Sequence, residues 1–238
     1  MKKSIIAAMS VLLLTASCGD AQADEGLVPR LERLAGRGNA EAVYHLGMAY
    51  QTGTDLPRDP AKALDAFRRA AALGDPLAAY KLGCYHDGQG EGLVAHSEDE
   101  ALRHKLVAAK AGYALAQQDV ASLYARRGDM PAAYGWLEKS AAQGWPGGLM
   151  NFAAIHNLAS GAVRDPAKTA AYFRLYLDRV EASDQQREWL RDFESRMSPE
   201  QKRKAAVIQR DYRSRPTELT LKALAGRKAA EALVARVR

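Results

Sequence analysis

By its alternation of apolar and polar positions, the chain falls into three stretches. The first is one apolar run, Ile5 to Leu14, preceded by Lys2 and Lys3. The second, from about residue 31 to 180, is a series of short amphipathic segments with helix spacing, each closed by a glycine. Asp59-Pro60, Asp129-Met130-Pro131 and Asp165-Pro166 read as helix starts, with Asp as N-cap and Pro in the first turn. Gly38, Gly74, Gly112 and Gly144 fall where a left-handed residue ends a helix. Large residues (Tyr50, Phe67, Tyr124, Trp136 and Tyr172) are spaced to fill the seams between segments. The third stretch begins near Asp184. Trp189, Leu190 and Phe193 mark a helix over 184–196, and Ser198-Pro199-Glu200-Gln201 is a capping box opening a second, to about Tyr212. Arg215-Pro216 breaks the chain, and Thr217 opens a last helix to about Val237. Its expected buried positions are Leu219, Leu221, Leu224 and Leu233, and Gly226 weakens it by about 1 kcal/mol.

The middle stretch repeats itself. Asn39 to Gly47 aligns with Asp75 to Gly83, 36 residues on. The frame returns at Ala116 to Ala121, 38 further, and at Gly148 to Ala153, 32 further. A second signal has the same register, because Arg58-Asp59-Pro60-Ala61-Lys62 reappears 106 residues later as Arg164 to Lys168. Small residues at facing positions allow antiparallel helices to approach closely. A single pair cannot bury its apolar face, so the pairs must stack.

These residues resemble the Sel1-like repeat family, a relative of the tetratricopeptide repeats. The first unit carries the family pattern in Ala42, Leu46-Gly47, Tyr50, Gly53, Asp59, Lys62-Ala63, Ala70-Ala71 and Gly74, with Asp55 where the family has a second glycine. The later units depart further. His86 and His156 replace the tyrosine, Phe152-Ala153 replaces Leu-Gly, and the loops are two residues longer in the second unit and four shorter in the third. The resemblance implies an all-α fold: an α-solenoid of helix pairs over 24–182 with a C-terminal helical cap over 183–238. It also implies that the first helix of each pair lines a concave groove binding a protein or peptide. Tyr44, Gln51, Tyr80, Asp87, Gln118, Met150 and Asn157 take the inward positions. The tyrosines have core packing as the competing reading, and the polar positions are the better contacts.

Composition sharpens this picture. There are 46 alanines and only 15 Val plus Ile in 238 residues, which excludes an all-β fold and disfavours a parallel sheet. The formal charge of +6 is unevenly spread. Residues 199–238 hold 11 basic and 4 acidic side chains, whereas residues 18–198 hold 21 and 24. The basic end reads either as a solvated terminal cap or as a patch for an acidic partner. Without aromatic interleaving or a nucleic-acid motif, it argues against nucleic acid.

Residues 1–23 read as an export signal. The apolar run of about ten residues is shorter than the roughly 20 a membrane span needs. Thr15-Ala16-Ser17-Cys18 resembles a lipobox, with Cys18 as the lipidated first mature residue, although Thr15 stands where Leu, Val or Ile is usual. Cleavage after Ala23 at Ala21-Gln22-Ala23 is the alternative and yields a soluble periplasmic chain. Gly19 follows the cysteine instead of the Asp of an inner-membrane signal. The expected address is therefore the periplasmic side of the envelope, anchored in the outer membrane by lipid. Cys84 then has no partner and reads as a buried packing residue, the alternative being a reactive thiol.

No catalytic signature emerges. G-x-S-x-G, S-x-x-K and H-E-x-x-H are absent, and Gly88-Gln89-Gly90-Glu91-Gly92 lacks the ending of a phosphate loop. Cys84, His86 and His96 lack the paired spacing of a zinc site, so neither metal nor cofactor is expected. The leading expectation is a non-catalytic adaptor. The alternative is an envelope enzyme or enzyme activator acting on cell wall or anionic glycan, gripped by the basic C-terminal helices.

Overall fold

Helix pairs follow one another in the computed structural model, which describes residues 25–90, 92–158 and 163–237; the expected export signal over 1–23, Cys18 included, lies outside these residues. The described residues form thirteen α-helices and no strand. A half unit, α1 (Leu27–Gly36), leads into four pairs: α2 (Ala40–Thr52) with α3 (Pro60–Ala72), α4 (Pro76–Cys84) with α5 (Glu98–Lys110), α6 (Ala114–Arg126) with α7 (Met130–Ala142), and α8 (Pro146–Leu158) with α9 (Pro166–Leu177). Four more helices follow: α10 (Asp184–Ser195), α11 (Pro199–Asp211), α12 (Glu218–Ala225) and α13 (Arg227–Arg236). The fold is an all-α solenoid of paired helices with C-terminal helices.

The repeat register reappears as hydrogen bonds. The carbonyls of Tyr50, His86, Tyr124 and His156 each accept the backbone N–H of the residue opening the next helix: Asp59, Ser97, Asp129 and Asp165, at 2.9–3.1 Å. A second set ties the turns between pairs: Asn39, Asp75, Tyr113 and Trp145 donate to the carbonyls of Leu34, Ala70, Ala108 and Ser140. Gly38, Gly74, Gly112 and Gly144 stand just before these donors, at φ 82°, 93°, 97° and 78°. Asp59, Ser97, Asp129 and Asp165 also cap their helices through side-chain oxygens, each worth about 1 kcal/mol. Asp55, where the Sel1-like pattern has a glycine, takes a left-handed backbone at φ 66°.

The Leu-Gly glycines are sites of close approach. A Cβ on Gly47 would stand 2.7 Å from the Phe67 ring, and one on Gly83 would stand 2.5 Å from Lys105 Cγ and 3.1 Å from the Ala101 carbonyl. Gly83→Ala should therefore cost about 1–3 kcal/mol by overpacking. Gly135→Ala, with no neighbour within 4 Å on α7, should instead gain up to about 1 kcal/mol. Urea midpoints of the two variants check this; equal shifts would show that the close approach carries no strain.

The C-terminal stretch departs from expectation. α10 and α11 pack on α9 through Ala167, Ala170, Leu177, Leu190, Met197 and Ala205. Beyond them the chain turns back along the solenoid. Tyr212 Oη donates to the Ala141 carbonyl at 2.6 Å, the Arg215 N–H to the Ala142 carbonyl at 3.0 Å, and Lys222 pairs with Glu41 at 2.8 Å. Arg30 donates to the Val234 carbonyl at 2.6 Å, so α13 rests on α1. The single last helix expected from sequence is two, broken at Gly226, whose φ 52° and ψ −119° only glycine adopts readily. Of the four leucines expected inside, Leu219 and Leu233 pack against the core, whereas Leu221 and Leu224 are 51% and 63% exposed. Thr220, Ala230 and Val234 are buried instead, because polar contacts of Thr220 set the rotation of α12.

Candidate interaction surface

The first helices of the pairs, α2, α4, α6 and α8, carry the positions expected to meet a partner. Tyr44 on α2 is buried, its ring 5.2 Å from His45 and 6.1 Å from Phe67. Tyr80 on α4 is also buried, edge-on to Tyr113 at 5.0 Å, and its hydroxyl donates to Asp119 Oδ2 at 3.1 Å. Burial pushes the Tyr44 and Tyr80 hydroxyls well above the usual phenol range, and that of Tyr113 up to about 12. These rings pack the core of the solenoid. Gln118 is half-buried at a seam between repeats, its Oε1 accepting from Trp145 Nε1 at 2.9 Å.

Asp87 belongs to a charged cluster that joins α4, α5 and α6. Lys105 Nζ lies 2.6 Å from Asp87 Oδ2 and 2.9 Å from Asp119 Oδ2. Arg126 stands 3.8 Å from the other Asp87 oxygen and bonds Glu98 at 2.9 Å. Lys105 is only 1% exposed. Burial opposes its charge, but Asp119 and Asp87 outweigh that and raise its pKa. The structure thus brings Tyr80 and Asp87 together through Lys105 and Asp119, two residues the sequence reading did not single out. A signal for Lys105 was present: it lies four residues after Ala101 and three before Ala108, in a buried stripe.

Gln51 and Asn157 are half-buried, and Met150 is exposed. The Oε1 atom of Gln51 is buried without a hydrogen-bond partner among the described residues. Of the expected contact residues, Gln51 and Asn157 stand outside the internal networks above.

Cys84 is buried, and burial pushes its thiol pKa up, as a packing residue requires. In the glycine-rich segment after it, Gly88 and Gly92 take the left-handed backbone of turns, at φ 91° and 79°. His156 is buried, with Nδ1 2.7 Å from the Val163 carbonyl. His86 does not gather with Cys84 and His96. It lies instead beside Glu100 and His104, the three offering donor atoms within 4.8 Å of one another, where the sequence reading expected no metal-ligand set. No helix among the described residues is long and apolar enough to cross a membrane.

Comparison with known proteins supports this architecture. Residues 40–75, 76–113 and 114–145 match the Sel1 repeat in three successive copies. No curated protein matches the chain significantly. A protective antigen of uropathogenic Escherichia coli strains, displaying an SLR fold, superposes with a TM-score of 0.58 at 21% identity, over 82% of this chain and 50% of that one. The chain therefore spans half the length of that protein. A Sel1 repeat protein from Oxalobacter formigenes is 27% identical over 52% of this chain and 96% of that one, with a TM-score of 0.47. Helices α8 and α9 lie beyond the matched repeats, yet they keep the same hydrogen-bond register.

Proposed function

We propose that this Sel1-repeat chain is a non-catalytic interaction scaffold of the bacterial cell envelope, holding a protein or peptide segment along the first helices of its pairs. The observation that carries the reading is the stack itself: three matched repeats in one register, the arrangement Sel1 and tetratricopeptide-like proteins use for protein–protein contact. Gln51 and Asn157 add polar side chains on the first helices that are only half-buried and stand outside the internal networks, so a partner can reach them. The lysine-flanked apolar run and the lipobox-like Thr15–Cys18 support the periplasmic-side address, with Cys18 as the lipid anchor.

Crosslinking in the native envelope, followed by affinity measurement on the captured partner, tests both parts. Gln51→Ala with Asn157→Ala should weaken binding at least about tenfold, the effect of losing about 1.4 kcal/mol of contact. Unchanged affinity overturns the groove reading, and turnover by the purified chain overturns the non-catalytic one. Cys18→Ala should move the protein from the membrane to the soluble fraction. A soluble wild type beginning at Asp24 overturns the anchor.

A further inference from the structure

We propose that His86, Glu100 and His104 form a binding site for one divalent transition-metal ion of the zinc class. The site goes beyond the scaffold reading and does not depend on it. Glu100 and His104 are one turn apart on α5, so their side chains share a face. His86 comes from the other side of the long loop of the second repeat, in the single wide turn over Tyr85–Gln89 that follows α4. The loop is closed at its base by the Ser97 N–H donating to the His86 carbonyl at 3.0 Å. That bond brings His86 back to the first turn of α5.

The geometry suits a metal ion. One donor atom from each residue lies within 4.8 Å of the others, and His104 Nε2 is 3.7 Å from Glu100 Oε2. Metal–ligand bonds of about 2.0–2.2 Å place tetrahedral donors roughly 3.4 Å apart, so side-chain rotations of about an ångström complete the site. The two imidazole rings are nearly parallel, 6° apart, with centroids 5.7 Å apart. Two histidines and a carboxylate suit zinc in particular, and leave a fourth position for water. His86 and His104 both line a cavity of about 400 Å³ that has room for that water.

Two further contacts separate this group from an ordinary pair of surface histidines. His86 Nδ1 lies 3.2 Å from the Ala95 carbonyl, an acceptor that holds the proton on Nδ1 and leaves the Nε2 lone pair for an ion. Metal-binding histidines are commonly oriented by such a bond. A cation also already bridges two of the donors: Arg103 Nη2 is 2.5 Å from Glu100 Oε2 and 2.7 Å from His104 Nε2. Arg103 is exposed and on a long stem, so a doubly charged ion would displace its guanidinium. Arg103 is therefore a competitor, and the ion would fasten the long loop to α5.

Calorimetric titration of the metal-stripped full chain with zinc chloride tests the proposal. One ion per chain is expected. His104→Gln and Glu100→Gln should each weaken binding at least about tenfold, since even the outer partners of metal ligands cost that much. His96→Gln, in the same loop but outside the cluster, should leave binding unchanged, and Arg103→Ala should tighten it. Thermal melts without metal identify any variant that loses zinc because it loses its fold. For such a variant, cobalt(II) absorption of the wild-type chain gives a second readout, with tetrahedral bands expected. Absence of stoichiometric binding, or binding indifferent to both His104→Gln and Glu100→Gln in folded protein, overturns the site.

Discussion

Lys105→Met should lower the folding free energy by about 3 kcal/mol. The estimate is the low end of the ~3–5 kcal/mol lost when one member of a buried ion cluster is removed. The low end applies because the orphaned carboxylates, Asp87 and Asp119, keep 24% and 21% side-chain exposure and can recruit water. Methionine keeps the stem that packs over Gly83, so the loss reports charge and not volume. The triple change Lys105→Met, Asp87→Asn, Asp119→Asn should recover most of the stability, since it leaves no unpaired charge. The pH dependence has a definite sign. The folded-state pKa of Lys105 is raised, so its contribution is complete below the unfolded value near 10.5 and is lost as pH rises through the raised value. The gap between wild type and Lys105→Met should therefore narrow at high pH. Urea midpoints from pH 7 to 12 measure it. A loss below about 1 kcal/mol, the ordinary worth of an exposed pair, would show that the cluster is solvated.

Lys105 also shows where sequence reasoning runs out. It occupies the slot that Phe67 and Leu137 fill in the neighbouring units, and it faces Gly83 as Phe67 faces Gly47. The register was readable because glycine turns and Asp caps are local requirements of the backbone, written in residue type. Which partners a misfit side chain finds is not local: Asp87 lies in a loop and Asp119 on the next pair. The C-terminal helices follow the same rule. The Ser198 capping box formed as its four residues dictate. The rotation of α12 depends on Gln143, some 77 residues away, and it turns Leu219 onto the core while leaving Leu221 and Leu224 outside. Of the candidate contacts, Tyr44 and Tyr80 show that an inward position in a repeat can be core, and only packing distinguishes that from groove. The histidine–glutamate group has no local spacing signature, because His86 lies across a loop from Glu100 and His104.

The largest change in local order should come from Gln143→Leu. Gln143 is the buried hub that holds the returning C-terminal segment. Its Nε2 donates to the Gly112 carbonyl at 2.7 Å and to Gln117 Oε1 at 2.9 Å. Its Oε1 accepts from the Thr217 N–H at 3.0 Å and the Thr220 hydroxyl at 2.7 Å, and Thr220 Oγ1 in turn accepts the Ala114 N–H at 3.0 Å. Leucine has similar bulk and satisfies none of these groups. Each buried group left unpaired costs about 1–3 kcal/mol, so the segment loses at least about 2 kcal/mol of its hold. Burial of Ala230 and Val234 and the Lys222–Glu41 pair remain to oppose release. That pair weakens in acid. The His45 ring 3.8 Å away and Lys222 hold the Glu41 carboxyl at about 2, so its contribution is full above 4.5 and fades as pH falls toward 2. Hydrogen exchange of Gln143→Leu should therefore show residues 218–236 losing protection while α2 to α7 keep theirs, more strongly at pH 4 than at pH 7. Trypsin should cut first at Lys222, Arg227 or Lys228. Thr220→Val should act in the same direction with a smaller effect, and Leu221→Ala on the exposed face should do nothing. Uniform loss of protection would mean instead that the returning segment and the repeats unfold as one unit, with its polar contacts integral to the solenoid.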